Sequence, residues 1–118
     1  MSTETYSGSC HCGAVAYTVS ADLGRTISCN CSICRRTGMV LTFVPAGQFN
    51  LEKGSDALAD YQFGKKNVHH LFCRTCGLRS FGRGTAPDGS EMVAINVRCL
   101  EGVDPDALSP QKFDGARL

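Results

Sequence analysis

Residues 72–77 read Phe-Cys-Arg-Thr-Cys-Gly, and this stretch says more about the fold than any other in the chain. Cys73 and Cys76 are separated by two residues, which is the spacing of a zinc knuckle. The backbone of a knuckle turns so that both sulfurs face inward, and Gly77 permits the tight return. A structural zinc ion is tetrahedral and needs four thiolates or imidazoles. The knuckle therefore supplies half of a site, and two more ligands must come from elsewhere.

The segment Cys10-His11-Cys12 is the natural partner for this knuckle. A one-residue gap in an extended segment places both cysteine side chains on the same face, where they can bind one ion, and turns His11 away from it. We therefore expect a closed four-thiolate zinc site made of Cys10, Cys12, Cys73 and Cys76. The alternative is a set of buried thiols that bind no metal.

A second group of cysteines lies between these segments and has a different pattern. It offers three sulfurs within six residues, from Cys29, Cys31 and Cys34. Three protein ligands with one open position distinguish a catalytic zinc from a structural one. We expect the second group to hold a zinc ion of the catalytic kind. Thiolates alone do not exclude iron.

The alternative is that a fourth side chain closes the second site and makes it purely structural. The candidates are His69, His70 and Cys99. His70 alternates with apolar neighbours, which favours a packed histidine, and His69 falls on the other side of the strand. Cys99 follows the apolar alternation of residues 93–97, which predicts a buried and unreactive thiol.

The segments between the cysteines predict a mainly β domain. Short runs of branched and aromatic residues predict strands, and thirteen glycines fit a chain rich in turns. The predicted strands cover 14–19, 40–44, 58–63, 68–72 and 91–99. Short helical turns are expected at 31–37, where Gly38 stops the turn, and at 105–108. We expect residues 1–118 to form one zinc-binding domain with a core at about 6–103 and a C-terminal tail at 104–118, of which the polar residues 111–118 are loosely held.

Charge and composition exclude several classes of partner. The net charge is +1, and no basic cluster exceeds two residues, so we expect no nucleic-acid partner. No run of about 18 apolar residues is present, and the first residues lack a secretory pattern. Eight cysteines in 118 residues, without a sign of an oxidising compartment, favour metal binding over disulfides. We expect a cytoplasmic protein that does not bind membranes.

Three runs in this order, residues 9–15, 29–36 and 72–77, closely resemble the glutathione-dependent formaldehyde-activating enzyme family, which includes the domain of centromere protein V. The resemblance extends from Cys10 to about Val103. It implies a tent-like fold of packed antiparallel β-sheets around the zinc knuckles, with two zinc ions per chain. It places the structural ion at Cys10, Cys12, Cys73 and Cys76, and the catalytic ion at Cys29, Cys31 and Cys34.

The resemblance also implies an activity, that of a carbon–sulfur lyase. Family members condense glutathione reversibly with formaldehyde to S-(hydroxymethyl)glutathione. In this chain a substrate sulfur would take the open position at the second zinc, where its thiol loses a proton readily. Arg35, Arg36 and Arg98 would orient the rest of an anionic, peptide-like substrate. The competing hypotheses are a non-catalytic zinc module that binds a protein, and a zinc store or redox sensor.

Overall fold

The structure, a computed structural model, describes residues 3–117. Within them ten strands form two sheets, one with the order β1-β2-β5 and one with the order β10-β3-β4-β9-β8-β7-β6. The strand bounds are β1 Glu4–Ser9, β2 Ala16–Ala21, β3 Ile27–Cys29, β4 Leu41–Pro45, β5 Phe49–Lys53, β6 Leu58–Tyr61, β7 Val68–Cys73, β8 Phe81–Thr85, β9 Glu91–Asn96 and β10 Gln111–Phe113. The single α-helix of this range, α1, spans Cys34–Thr37, and 3₁₀ turns span Ala46–Gln48, Ser55–Ala57, Val97–Cys99, Pro105–Ala107 and Gly115–Arg117.

This architecture confirms the predicted mainly β fold. Neighbouring strands are antiparallel throughout both sheets, with one parallel pair formed by β10 and β3. Strands β6 and β7 form the predicted hairpin. Helix α1 ends as expected at Gly38, which adopts a left-handed conformation with φ of 69° and donates its N–H to the carbonyl of Cys34.

The hydrophobic core contains buried side chains from both sheets. Three aromatic rings connect them: Tyr17 and Phe49 belong to the three-stranded sheet, and Phe81 belongs to the seven-stranded sheet. The ring centroids are 5.0 Å apart for Tyr17 and Phe49 and 4.6 Å apart for Phe49 and Phe81. The Tyr17 hydroxyl donates to the carbonyl of Ser80 at 3.0 Å, so its polar end is satisfied inside the core.

The structure corrects two expectations. Strand β9 ends at Asn96, because the Asn96 side chain accepts the N–H of Arg98 at 3.1 Å and starts a 3₁₀ turn where the sequence predicts a strand to Cys99. The expectation that residues 111–118 are loosely held is also wrong for their described part, 111–117. Residues 111–113 pair with β3 through the backbone, and backbone pairing does not require apolar side chains.

None of the helices within residues 3–117 has the length and apolarity that crossing a bilayer would require.

Candidate metal centres

The knuckle and the N-terminal cysteine pair come together at the junction of the two sheets. Their Sγ atoms all lie within 4.8 Å of one another, in a group made of Cys10, Cys12, Cys73 and Cys76. The Sγ atom of Cys12 is 3.6 Å from that of Cys10 and 3.6 Å from that of Cys73. Sulfurs that share a tetrahedral zinc are about 3.8 Å apart, given a Zn–S bond of about 2.3 Å. A disulfide would bring two of them to about 2.05 Å. The four-cysteine group therefore fits a metal ion.

Backbone N–H groups point at these sulfurs and stabilise their ionised form. Val15 donates to Cys10 Sγ at 3.4 Å, and Thr75 donates to Cys73 Sγ at 3.4 Å. The backbone N–H groups of Cys12 and Leu78 lower the pKa of the Cys76 thiol to about 6. Because the thiolate is the form that binds metal, this environment suits a metal ligand.

The position of the four-cysteine group connects it to the core. Cys10 follows β1 of the small sheet and is 3% exposed, and Cys73 ends β7 of the large sheet and is 1% exposed. A metal ion at this point would join the two sheets covalently. The sequence prediction that these four cysteines meet is consistent with this geometry.

The second group, Cys29, Cys31 and Cys34, also converges, with all three Sγ atoms within 4.8 Å of one another. Cys29 ends β3, and Cys34 begins α1. The N–H of Cys31 donates to Cys29 Sγ and the N–H of Cys34 donates to Cys31 Sγ, each at 3.4 Å. Burial acts to raise the pKa of Cys31, but the N–H of Cys34 and the neighbouring thiols outweigh it and lower that pKa. These three sulfurs also fit a metal ion.

None of the candidate fourth ligands joins the three-cysteine group, although His70 lines the cavity beside it. Among the described residues no histidine, acid or further cysteine joins the three-cysteine group. His69 Nδ1 is 2.6 Å from the Asp60 carboxylate. Burial raises the pKa of the Cys99 thiol to about 11, and the charges of the nearby Cys10 and Cys76 add to this shift. Cys99 therefore lies beside the four-cysteine group.

The C-terminal segment covers the three-cysteine group. Asn30, between two of the cysteines, donates its side-chain amide to Asp114 at 3.0 Å and accepts the N–H of Ala116 at 3.0 Å. Gly115 lies so close to Cys29 that a Cβ atom at this position would collide with the Cys29 Sγ atom. The sequence analysis missed this segment because its polarity resembles that of a free tail.

A cavity of about 200 Å³ opens beside the three sulfurs, and we call it the three-cysteine cavity. Its wall is mainly apolar, with Ile27, Met39, Leu41, Phe43, Val68, Leu71, Phe81, Ala94 and Phe113. The polar side chains in the wall, besides the cysteines, are His70, Arg79 and Asn96. Burial and the charge of Arg79 lower the pKa of His70, which stacks on Phe63 with ring centroids 5.2 Å apart. His70 is consequently neutral at physiological pH.

A second depression, the basic groove, adjoins this cavity. It has a volume of about 510 Å³ and is lined by Ser32, Ile33, Arg36, Thr37, Tyr61, Phe63 and Arg79. Arg79 belongs to the walls of both. Its Nη1 atom is buried and has no hydrogen-bond partner among residues 3–117, and its Cζ atom lies 5.7 Å from the centre of the Phe72 ring. Sequence reasoning missed Arg79, since only its position three residues after the knuckle could have drawn attention to it.

The structure places the three arginines predicted to orient the substrate in different surroundings. Arg36 lines the basic groove and donates to the carbonyl of Ser32. Arg35 is exposed and lines neither depression. Arg98 also lines neither, because the 3₁₀ turn after Asn96 carries it away, and its guanidinium is 3.4 Å from the Asp106 carboxylate.

Comparison with known proteins agrees with this geometry. The family model described as glutathione-dependent formaldehyde-activating enzyme matches residues 5–114, which include both cysteine groups and β10. The chain belongs to this family. The matched range therefore includes both cysteine groups and strand β10, which packs against one of them.

A solved structure is similar to this member of the family. It is the crystal structure of a Rhodobacter sphaeroides protein, a structural genomics target, with 34% sequence identity and a TM-score of 0.81. The match covers 91% of this chain and 99% of that chain. The two proteins therefore share a fold over nearly their whole lengths.

Proposed function

We propose that this protein catalyses the reversible addition of a thiol, such as glutathione, to a small aldehyde, with zinc at both cysteine groups. The observation that carries the proposal is the convergence of three sulfurs on the wall of a cavity, with no fourth ligand from the described chain. Family membership supports the same chemistry. The four-cysteine group would hold a structural zinc that joins the two sheets.

A zinc ion held by Cys29, Cys31 and Cys34 would supply a Lewis acid that favours the ionised form of a substrate thiol. The chain's own side chains then bind and orient the reactants. Arg36 and Arg79 both line the basic groove, where their cations suit the carboxylates of a peptide-like thiol. Ser32 and Ile33 line the groove and also belong to the cysteine loop, residues 29–34, which carries the three cysteines. A thiol bound in the groove therefore has its sulfur near the three-cysteine cavity.

The reaction is balanced without an oxidant or a reductant. The sulfur lone pair forms the C–S bond, the π bond of the carbonyl group opens onto oxygen, and the proton lost by sulfur ends on that oxygen. The product is a hemithioacetal, and the reverse reaction releases the aldehyde. Most of the cavity wall is apolar, which limits the access of water to the reacting atoms.

The direct test is to mix zinc-loaded protein with glutathione and formaldehyde and to follow adduct formation against the uncatalysed rate. We expect acceleration proportional to protein concentration. Cys34→Ser, with its zinc content measured, is the control that should lose the acceleration. If the wild-type protein, loaded with two zinc ions, accelerates the addition of glutathione to neither formaldehyde nor a longer aldehyde at any protein concentration, the proposed function is wrong.

A further inference from the structure

The wall of the three-cysteine cavity is poorly matched to formaldehyde. The rim is formed by side chains that remain unusually exposed for their size: Phe43 at 47%, Val68 at 41% and Phe113 at 45%. Ala94 and Leu41 continue the apolar surface inward. Formaldehyde has no carbon beyond its carbonyl group, so it would leave all of this surface without a partner.

The size of the cavity leads to the same conclusion. A cavity of about 150 Å³ lined by leucine, isoleucine and phenylalanine is large enough to bind benzene. The three-cysteine cavity measures about 200 Å³. It therefore has room for a reacting carbonyl group together with an apolar substituent of several carbons.

The polar thiol does not compete for this space. The charged groups of glutathione would lose hydration against an apolar wall, which is unfavourable. The basic groove offers them Arg36 and the guanidinium of Arg79 instead. The two depressions thus divide the reactants by polarity, with the thiol in the groove and the other reactant in the cavity.

We infer that the aldehyde substrate carries an apolar substituent, of about four to seven carbons, that packs against Phe43, Val68 and Phe113. Its carbonyl oxygen faces the guanidinium of Arg79, which lines the cavity. The bond changes are those of the proposed function, on which this inference rests: a C–S bond forms, the carbonyl π bond opens, and the thiol proton ends on oxygen.

The test is a series of straight-chain aldehydes from formaldehyde to hexanal with one thiol, glutathione. For each aldehyde, kcat/KM is divided by the rate constant of the uncatalysed addition, which corrects for intrinsic reactivity. Beyond acetaldehyde we expect this ratio to rise about fourfold per methylene, because burying one methylene group contributes about 0.8 kcal/mol. A ratio that stays constant or falls from formaldehyde to hexanal overturns the inference and leaves the proposed function standing. Absence of acceleration with every aldehyde refutes the proposed function itself.

Filling the cavity should weaken the preference for the longer aldehyde. Ala94→Leu adds bulk to the wall, and Ala59→Leu is the matched control, because Ala59 is a half-buried strand residue that does not line the cavity. We expect Ala94→Leu to lower the ratio for hexanal at least tenfold more than the ratio for acetaldehyde. Equal effects on both aldehydes, or the same effect in Ala59→Leu, contradict the inference.

A binding measurement keeps the test independent of turnover. Hexan-1-ol, which cannot react, is titrated into the zinc-loaded protein and followed by NMR. We expect saturable shifts at the Ala94 methyl group and the Phe113 ring of the wild-type protein, and loss of the Phe113 shifts in Ala94→Leu with the fold intact. Shifts that are absent, or that persist unchanged in the variant, contradict the inference.

Discussion

Arg79 places a positive charge in the wall of the three-cysteine cavity, which is otherwise mainly apolar. Its Nη1 atom has no hydrogen-bond partner within the described chain, and the neighbouring Phe72 ring offsets only part of the lost hydration. A buried N–H group without an acceptor lowers the stability of the folded state. Arg79 as a residue is only partly buried and lines both depressions, where its guanidinium would donate to a substrate oxygen.

Replacing this charge should therefore affect activity and stability in different ways. In Arg79→Met we expect kcat/KM to fall about 10- to 150-fold, which is the value of a charge-assisted hydrogen bond of about 1.5–3 kcal/mol. The free energy of unfolding should stay the same or increase, because a buried N–H group without an acceptor is removed. Steady-state kinetics and urea unfolding measure the two effects.

Arg83→Met is the matched control for this prediction. The Cζ atom of Arg83 also lies over aromatic rings, 5.2 Å from the centre of Phe49 and 5.6 Å from that of Phe81, but Arg83 does not line the three-cysteine cavity. It should keep nearly full activity. If Arg79→Met destabilises the protein and leaves kcat/KM unchanged, Arg79 has a structural role and the account of it is wrong.

Among the secondary-structure elements, β10 and the turn after it have the most direct effect on the three-cysteine group. The parallel pairing with β3 brings Phe113 beside Cys29, and the next residues bind Asn30. Close contact at Gly115 leaves no room for a side chain. The cysteine loop is therefore held between its own strand and a segment more than eighty residues away in sequence.

This contact gives a second prediction. Gly115→Ala should displace Cys29 and lower the zinc content from two ions to one, while the domain stays folded. Gly47→Ala is the control, since a Cβ atom at Gly47 meets no atom within 4 Å. Neither glycine has a positive φ that an alanine could not adopt. Zinc analysis of the purified proteins decides the matter, and two ions in Gly115→Ala would contradict the proposed packing.

The two cysteine groups should differ in what their loss does to the fold. Cys73→Ser should prevent folding, because the four-cysteine group joins the two sheets inside the core, and apparent zinc binding of about 10–16 kcal/mol exceeds the stability of a small domain. Cys34→Ser should yield a folded protein with one zinc ion and no activity. Circular dichroism with zinc analysis distinguishes them. Equal unfolding in both variants would show that this division of roles is wrong.

At the scale of the whole molecule, the sequence predicts the parts of the fold that depend on local patterns. The spacing of the cysteines and the short runs of branched and aromatic residues in β2, β4 and the β6–β7 hairpin are local, and the structure has these strands within two residues of the predicted bounds. The glycine stop after α1 is equally local. These features need only the geometry of a turn or of one strand.

The features that the sequence did not reveal depend on contacts between distant segments. The pairing of β10 with β3 uses backbone groups that every sequence has, so polarity alone predicted a loose tail. The position of Arg79 between cavity and groove follows from the packing of β7, β8 and the cysteine loop. The early end of β9 depends on one side chain, Asn96, that competes with the strand for a backbone N–H.

The most direct test of the account is a crystal structure of the zinc-loaded protein with anomalous diffraction collected at the zinc edge. The account predicts two anomalous peaks per chain. One ion should have four sulfur ligands, from Cys10, Cys12, Cys73 and Cys76. The other should have three, from Cys29, Cys31 and Cys34, with a fourth position open to the cavity. A single ion, a disulfide within the second group, or a fourth protein side chain on its zinc would contradict the account.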